Sequence, residues 1–127
     1  MPNDALLLVG RILLVVLFLI SGLGMLPAPG GFAGYMGSLG MPAPLLVTWL
    51  IIALKVLGAL AIIAGFRVMI PALLLALFCV ATALIAHMDF ADQNQFNNFF
   101  KNISMAGGFL ILAAVGPGRI AIGGGSK

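Results

Sequence analysis

The amino-acid sequence predicts an all-α integral membrane protein, a four-helix bundle whose neighbouring spans run antiparallel. Three observations predict it: high apolarity, four apolar runs of membrane-crossing length, and proline- or glycine-rich breaks between them. Hydrophobic residues make up 63% of the chain and charged residues 7%, with a mean hydropathy of +1.26, whereas a soluble domain carries roughly a quarter charged residues. A 13.1 kDa globule in water would leave most of its residues partly exposed. The missing charge therefore requires a solvent that does not demand it, which is lipid.

The four spans fall at about residues 5–26, 45–64, 68–86 and 99–115. Each is close to the roughly 20 residues that cross ~30 Å of hydrocarbon at ~1.5 Å per residue. They are continuously apolar and lack the alternation of a barrel strand, so helices are the only structure that satisfies their backbone in lipid. The first run is not a secretory signal: Asp4 precedes it, no base appears before Arg11, and Leu6 to Leu26 exceeds the ~7–15 residues of a signal core. It is read as a retained span.

The breaks differ in chemistry. Pro27-Ala28-Pro29-Gly30-Gly31 stops the first helix and Pro42-Ala43-Pro44 opens the second. Between them, in residues 31–40, Phe32, Tyr35, Met36 and Leu39 fall at i, i+3, i+4 and i+7, which predicts a short interfacial helix with one face in lipid. Gly65-Phe66-Arg67 joins the second and third spans in a connection short enough to force a hairpin, and Pro71 falls in the first turn of the third span. The stretch His87 to Asn98 is the most polar in the chain and reads as a solvated loop. Gly116-Pro117-Gly118 ends the fourth helix, and a flexible Gly-rich tail runs to Lys127. Residues 1–127 form one membrane domain.

Arg67, Arg119 and Lys127 lie on the side shared by the two termini, and Arg11 can snorkel there from the first turns of its helix. Short connections keep lysine and arginine in the cytoplasm, so both termini are expected to be cytoplasmic, with Lys101 the one base opposing the bias.

The net charge of +3 comes from six scattered bases with no cluster able to track a phosphate backbone, which argues against nucleic acid. The single cysteine, Cys79, has no partner in the chain, so neither a disulfide nor a CxxC redox pair can form. It reads as a packing residue. No G-x-S-x-G, H-E-x-x-H or phosphate loop is present, and nothing reads as a self-sufficient hydrolase or transferase.

Small residues predict close helix contacts: Gly22 and Gly24 beside Ser21 in the first span, Gly58 and Gly65 in the second, Gly107 and Gly108 in the fourth. Lys55 is the outlier. It lies near the middle of the second span, where a lysine costs about 2.5–3.5 kcal/mol on insertion scales. Asp4, Asp89 and Asp92 all fall outside the hydrocarbon, so no acid at its depth neutralises it. Two readings stand: Lys55 is uncharged, sits in a wet cavity or faces a ligand bearing a carbonyl or negative charge, or it is a bundle-facing lysine bonded to carbonyls or hydroxyls such as Ser21. A second constellation gathers at the outer mouth, where His87 ends the third helix ahead of Asp89 and Asp92. There Asn97, Lys101 and Ser104 share a face of the fourth. The His87-x-Asp89-x-x-Asp92 spacing is no metal signature, so a hydrated rim is expected and no metal.

Several local patterns together resemble the DoxX family: Gly10-Arg11, Ser21-Gly22, Gly31-Phe32 with Tyr35, Leu39-Gly40-Met41-Pro42, Gly65-Phe66-Arg67, His87, and Gly116-Pro117-Gly118-Arg119. The likeness covers almost the whole chain. It implies a small bacterial inner-membrane protein of four helices with both termini inside. It also implies a redox setting, since members are similar to the small membrane subunit of a thiosulfate:quinone oxidoreductase or accompany oxidoreductase assemblies in oxidative stress. Two departures matter: the family pattern has a lysine near Met25 and a glutamate where this chain has Lys55. A proton-acceptor role for that glutamate does not transfer to Lys55.

The expected function is therefore a membrane subunit of a quinone-linked oxidoreductase, with a non-covalent quinone as the implied cofactor and the redox centres on partner membrane subunits. One cysteine and no pair of haem ligands give the chain no means of moving electrons alone. A non-catalytic scaffold subunit and a small apolar-ligand or lipid-binding membrane protein are the alternatives. The expected ligand-binding residues are Lys55, Ser21, His87 and Lys101.

Overall fold

A computed structural model of the chain describes residues 2–122; the Gly-rich tail with Ser126 and Lys127 lies outside the described residues. Five helices follow in order: α1 (Pro2–Met25), α2 (Pro29–Ser38), α3 (Pro44–Ala64), α4 (Met69–Ala86) and α5 (Gln93–Val115). Among the described residues there is no strand. Four of the five, all but α2, are long and apolar enough to cross a membrane.

The chain's punctuation explains the helix limits. Pro29 and Pro44 sit in the first turns of α2 and α3, where a missing N–H costs nothing that the helix would have used. At the end of α3, Gly65 adopts φ 78°, and the N–H groups of Gly65 and Phe66 return to the carbonyls of Ile62 and Ala61. This is the left-handed closure for which glycine lacks the Cβ penalty.

Helix α1 packs on α3, α3 on α4 and α4 on α5, with α1 also touching α5. The shared core takes Val15 and Phe18 from α1, Ala59 and Ile62 from α3, Leu75 and Cys79 from α4, and Phe109 and Leu112 from α5. Phe18 and Phe109 meet edge to face with centroids 5.5 Å apart. The outside is as apolar as the inside: Leu6 is 72% exposed and Leu77 67%. Burial from water therefore cannot drive association of these spans, and close van der Waals packing does. Among the glycines within the spans Gly22 is the most closely packed, since a Cβ there would lie 2.8 Å from Val56 Cγ2 and 2.9 Å from Lys55 Cβ. Gly58 faces Leu75 and Pro71, and Gly108 faces Leu14. Gly24 and Gly107 correct the sequence expectation: a Cβ at either would meet nothing within 4 Å, so neither marks a close helix contact.

Three further expectations are corrected. The polar stretch from His87 to Asn98 is not one loop, because α5 already begins at Gln93 with Asp92 as its N-cap, accepting from the Asn94 N–H at 2.9 Å. Phe90, Phe96, Phe99 and Phe100 form a connected aromatic cluster there, at a position suited to the membrane–water boundary. Met36, expected on the lipid face of the short helix, is instead buried, as α2 packs on α3.

Arg11 does not snorkel to water. It is 2% exposed, and its guanidinium donates to the carbonyls of Ile62 (2.9 Å), Pro117 (2.6 Å), Ile63 (3.2 Å) and Ile120. The last turn of a helix leaves carbonyls without intrahelical donors, and Arg11 brings a donor fork to those of α3. The segment after α5 is held at the same place, with Ile122 N–H on Ala64 O at 2.8 Å.

Candidate functional site

Helix α3 carries Lys55 inward. The side chain is 9% exposed, and its Nζ donates to Ser21 Oγ on α1 at 2.8 Å, with the Met25 sulfur at 3.7 Å. The Phe32 ring of α2 and the Phe78 ring of α4 flank the same nitrogen at 5.8 and 5.5 Å from their centroids. Lys55 thus has a hydroxyl and two aromatic faces in place of a carboxylate. A lysine nitrogen carries up to three hydrogens, and one strong bond to Ser21 leaves donor capacity unspent.

That capacity meets a cavity of about 370 Å³ between the helices. The four side chains singled out from the sequence, Lys55, Ser21, His87 and Lys101, all line it. In the sequence they form two separate constellations, one deep and one at the mouth. Helix α4 brings them together, since Phe78 lies beside Lys55 and the same helix ends on His87. Lys101 enters from α5, and α2 closes one side through Phe32, Tyr35 and Met36, with its C-cap Leu39 beside them.

Two polar residues of the wall escaped sequence reasoning. Thr82 donates to the Phe78 carbonyl at 2.9 Å and accepts from Asn102 Nδ2 at 3.2 Å, which places a polar pair between the Lys55 end and the mouth. Asn102 was readable in principle, since it lies four residues after Asn98 and three before Met105, but the face drawn through Asn97, Lys101 and Ser104 passed beside it. Asn97 accepts from Gln93 at 3.1 Å and, like Ser104, does not line the cavity.

At the mouth, His87 Nδ1 is buried without a hydrogen-bond partner. Asp89 and Asp92 are exposed and turn to local structure: the Asp89 N–H donates to Gln95 Oε1 at 3.0 Å, and Asp92 caps α5. Among the described residues no three His, Cys, Asp or Glu side chains are grouped as a metal site would need. The cavity lining holds Lys55 and Lys101 and no carboxylate, so its chemistry favours a ligand that accepts hydrogen bonds.

A family model described as DoxX matches residues 6–88. Inner membrane protein YqjF of Escherichia coli (strain K12) is 40% identical over 120 residues, spanning 94% of this chain and 91% of the relative. Inner membrane protein YphA of the same organism is 37% identical over 126 residues, spanning 94% of this chain and 89% of the relative. No solved structure matches. On the family match and on two relatives aligned along nearly their whole length, the chain belongs to the DoxX family of membrane proteins.

Proposed function

We propose that this protein is a membrane subunit of a quinone-linked oxidoreductase, holding a quinone headgroup at the Lys55 end of the cavity while partner subunits carry the redox centres. The observation that carries the reading is the setting of Lys55: a donor with capacity to spare, at mid-span, between the Phe32 and Phe78 rings. A planar dicarbonyl ring suits that setting. Its oxygen accepts from Nζ, and its faces offer area to aromatic side chains. The inner membrane is the proposed location, with both termini on the cytoplasmic side.

A lipid or other small apolar ligand is the second reading, favoured by the exposed Leu39 and Ile85 in the cavity lining. Extraction of the protein from its native membrane under mild detergent, followed by mass spectrometry of bound small molecules and partners, separates them. A stoichiometric quinone with co-purifying membrane subunits is expected. A non-quinone lipid supports the second reading, and partners with an empty cavity support a scaffold.

A further inference from the structure

The cavity wall along α4 and α5 differs from the pocket around Lys55. The step from Phe78 to His87 rises about 13 Å along α4, too far for one small headgroup to fill. Along it the polar groups fall at intervals of about one to one and a half helical turns: Lys55 with Ser21 beside Phe78, then Thr82 with Asn102, then His87 and Lys101.

Each of these steps keeps hydrogen-bonding capacity. Lys55 has a donor left after Ser21. Asn102 spends one amide hydrogen on Thr82 and keeps its oxygen. With His87 Nδ1 sealed, Nε2 is the nitrogen through which that ring can address the cavity. An apolar tail laid along this wall would leave both donors and acceptors unpaired, at about 1–3 kcal/mol for each buried group. Water satisfies both kinds, and the polar groups of this otherwise mostly apolar lining offer the two or more partners that a buried water requires. At ~30 Å³ per molecule, 370 Å³ has room for on the order of ten waters.

We infer that Thr82, Asn102 and His87 line a hydrated path connecting Lys55 at mid-span to the aqueous face that carries the α4–α5 connection. Water and protons reach Lys55 from that face. This goes beyond the quinone reading and does not need it, since the path is a property of the wall whatever ligand Lys55 holds.

The test uses the full chain in proteoliposomes, in a Cys79→Ala background, with single substitutions Thr82→Cys and Ser21→Cys in the cavity and Leu77→Cys on the lipid face of α4. A charged, impermeant methanethiosulfonate should modify the two cavity positions at least tenfold faster than Leu77→Cys, and only from the side that also reaches Gln93→Cys. Adding Asn102→Leu should slow Ser21→Cys more than Thr82→Cys, since it places an apolar group below the mouth. Full modification after denaturation checks that each thiol is intact. Charged-reagent rates no greater than at Leu77→Cys would overturn the path. They do so whether an uncharged maleimide enters, meaning the cavity opens to lipid, or neither reagent enters, meaning it is sealed. Loss of co-purified quinone could free Ser21→Cys beside the headgroup but not Leu77→Cys on the lipid face, and the comparison of Thr82→Cys with Leu77→Cys carries the path test, so the two readings fail separately.

Discussion

The Arg11 guanidinium of α1 donates to the carbonyl of Pro117, 106 positions away in sequence, at 2.6 Å. The same side chain binds two carbonyls at the end of α3, so one residue ties the first helix, the second span and the segment after α5 together. Arg11→Met keeps the apolar length but orphans several buried carbonyls. A loss of about 2 kcal/mol or more is expected. Arg11→Lys should restore only part of it, because an ammonium lacks the planar fork that reaches carbonyls on two segments. Thermal unfolding in detergent checks this, and equal stability of the Lys and Arg proteins would deny the fork its role.

Gly22 and Gly24 give a contrast within one helix. A Cβ at Gly22 would sit 2.9 Å from Lys55 Cβ, an atom fixed to the α3 backbone, whereas at Gly24 it meets nothing within 4 Å. Gly22→Ala should therefore cost about 1–3 kcal/mol by forcing α1 from α3. Gly24→Ala should be neutral or stabilising by up to about 1 kcal/mol, since alanine is the better helix former. Unfolding midpoints of the two variants side by side decide it.

The spans were legible in the sequence because each is a run of one physical character ended by residues that cannot continue a helix. The start of α5 was not, for the opposite reason. Its first turns carry Gln93, Asn94, Asn97 and Asn98, and polarity by itself does not separate a solvated loop from a helix emerging into the headgroup region. The Asp92 cap followed by Phe96, Phe99 and Phe100 was the available signal. Arg11 misled differently. Charge near a helix end suggests snorkelling, and only the fold reveals that the end of α3 and the Pro117 segment supply acceptors there. Lys55 stands out in the sequence as a mid-span base and His87 as part of a polar rim, but their shared cavity depends on how α4 lies across the bundle, which no local pattern records.

The orientation proposal is tested by the single substitutions Gln93→Cys and Ser126→Cys in the Cys79→Ala background. It rests on Arg67, Arg119 and Lys127 lying on the side of the termini. In intact spheroplasts an impermeant thiol reagent should reach Gln93→Cys and leave Ser126→Cys unmodified until the membrane is opened. Labelling of Ser126→Cys first would invert the topology.

The last prediction concerns Lys55, on which the proposed quinone site turns. Its nitrogen is bound to Ser21 at 2.8 Å and framed by Phe32 and Phe78, so replacement by methionine removes the donor while keeping an unbranched side chain of similar length. Ser21 loses a partner, but a hydroxyl in a helix can turn to the carbonyl one turn back, so the bundle should stay folded with stability preserved or raised. Ligand retention should fall about tenfold for each ~1.4 kcal/mol of lost interaction. One hydrogen bond from this nitrogen, at about 0.5–3 kcal/mol across its uncharged and charged forms, sets an expected loss of roughly two- to a hundredfold. Quinone per protein, measured by extraction and mass spectrometry on matched Lys55 and Lys55→Met preparations, is the readout. Equal occupancy in the two would remove Lys55 from the site and leave its bond to Ser21 as a purely structural contact between α1 and α3.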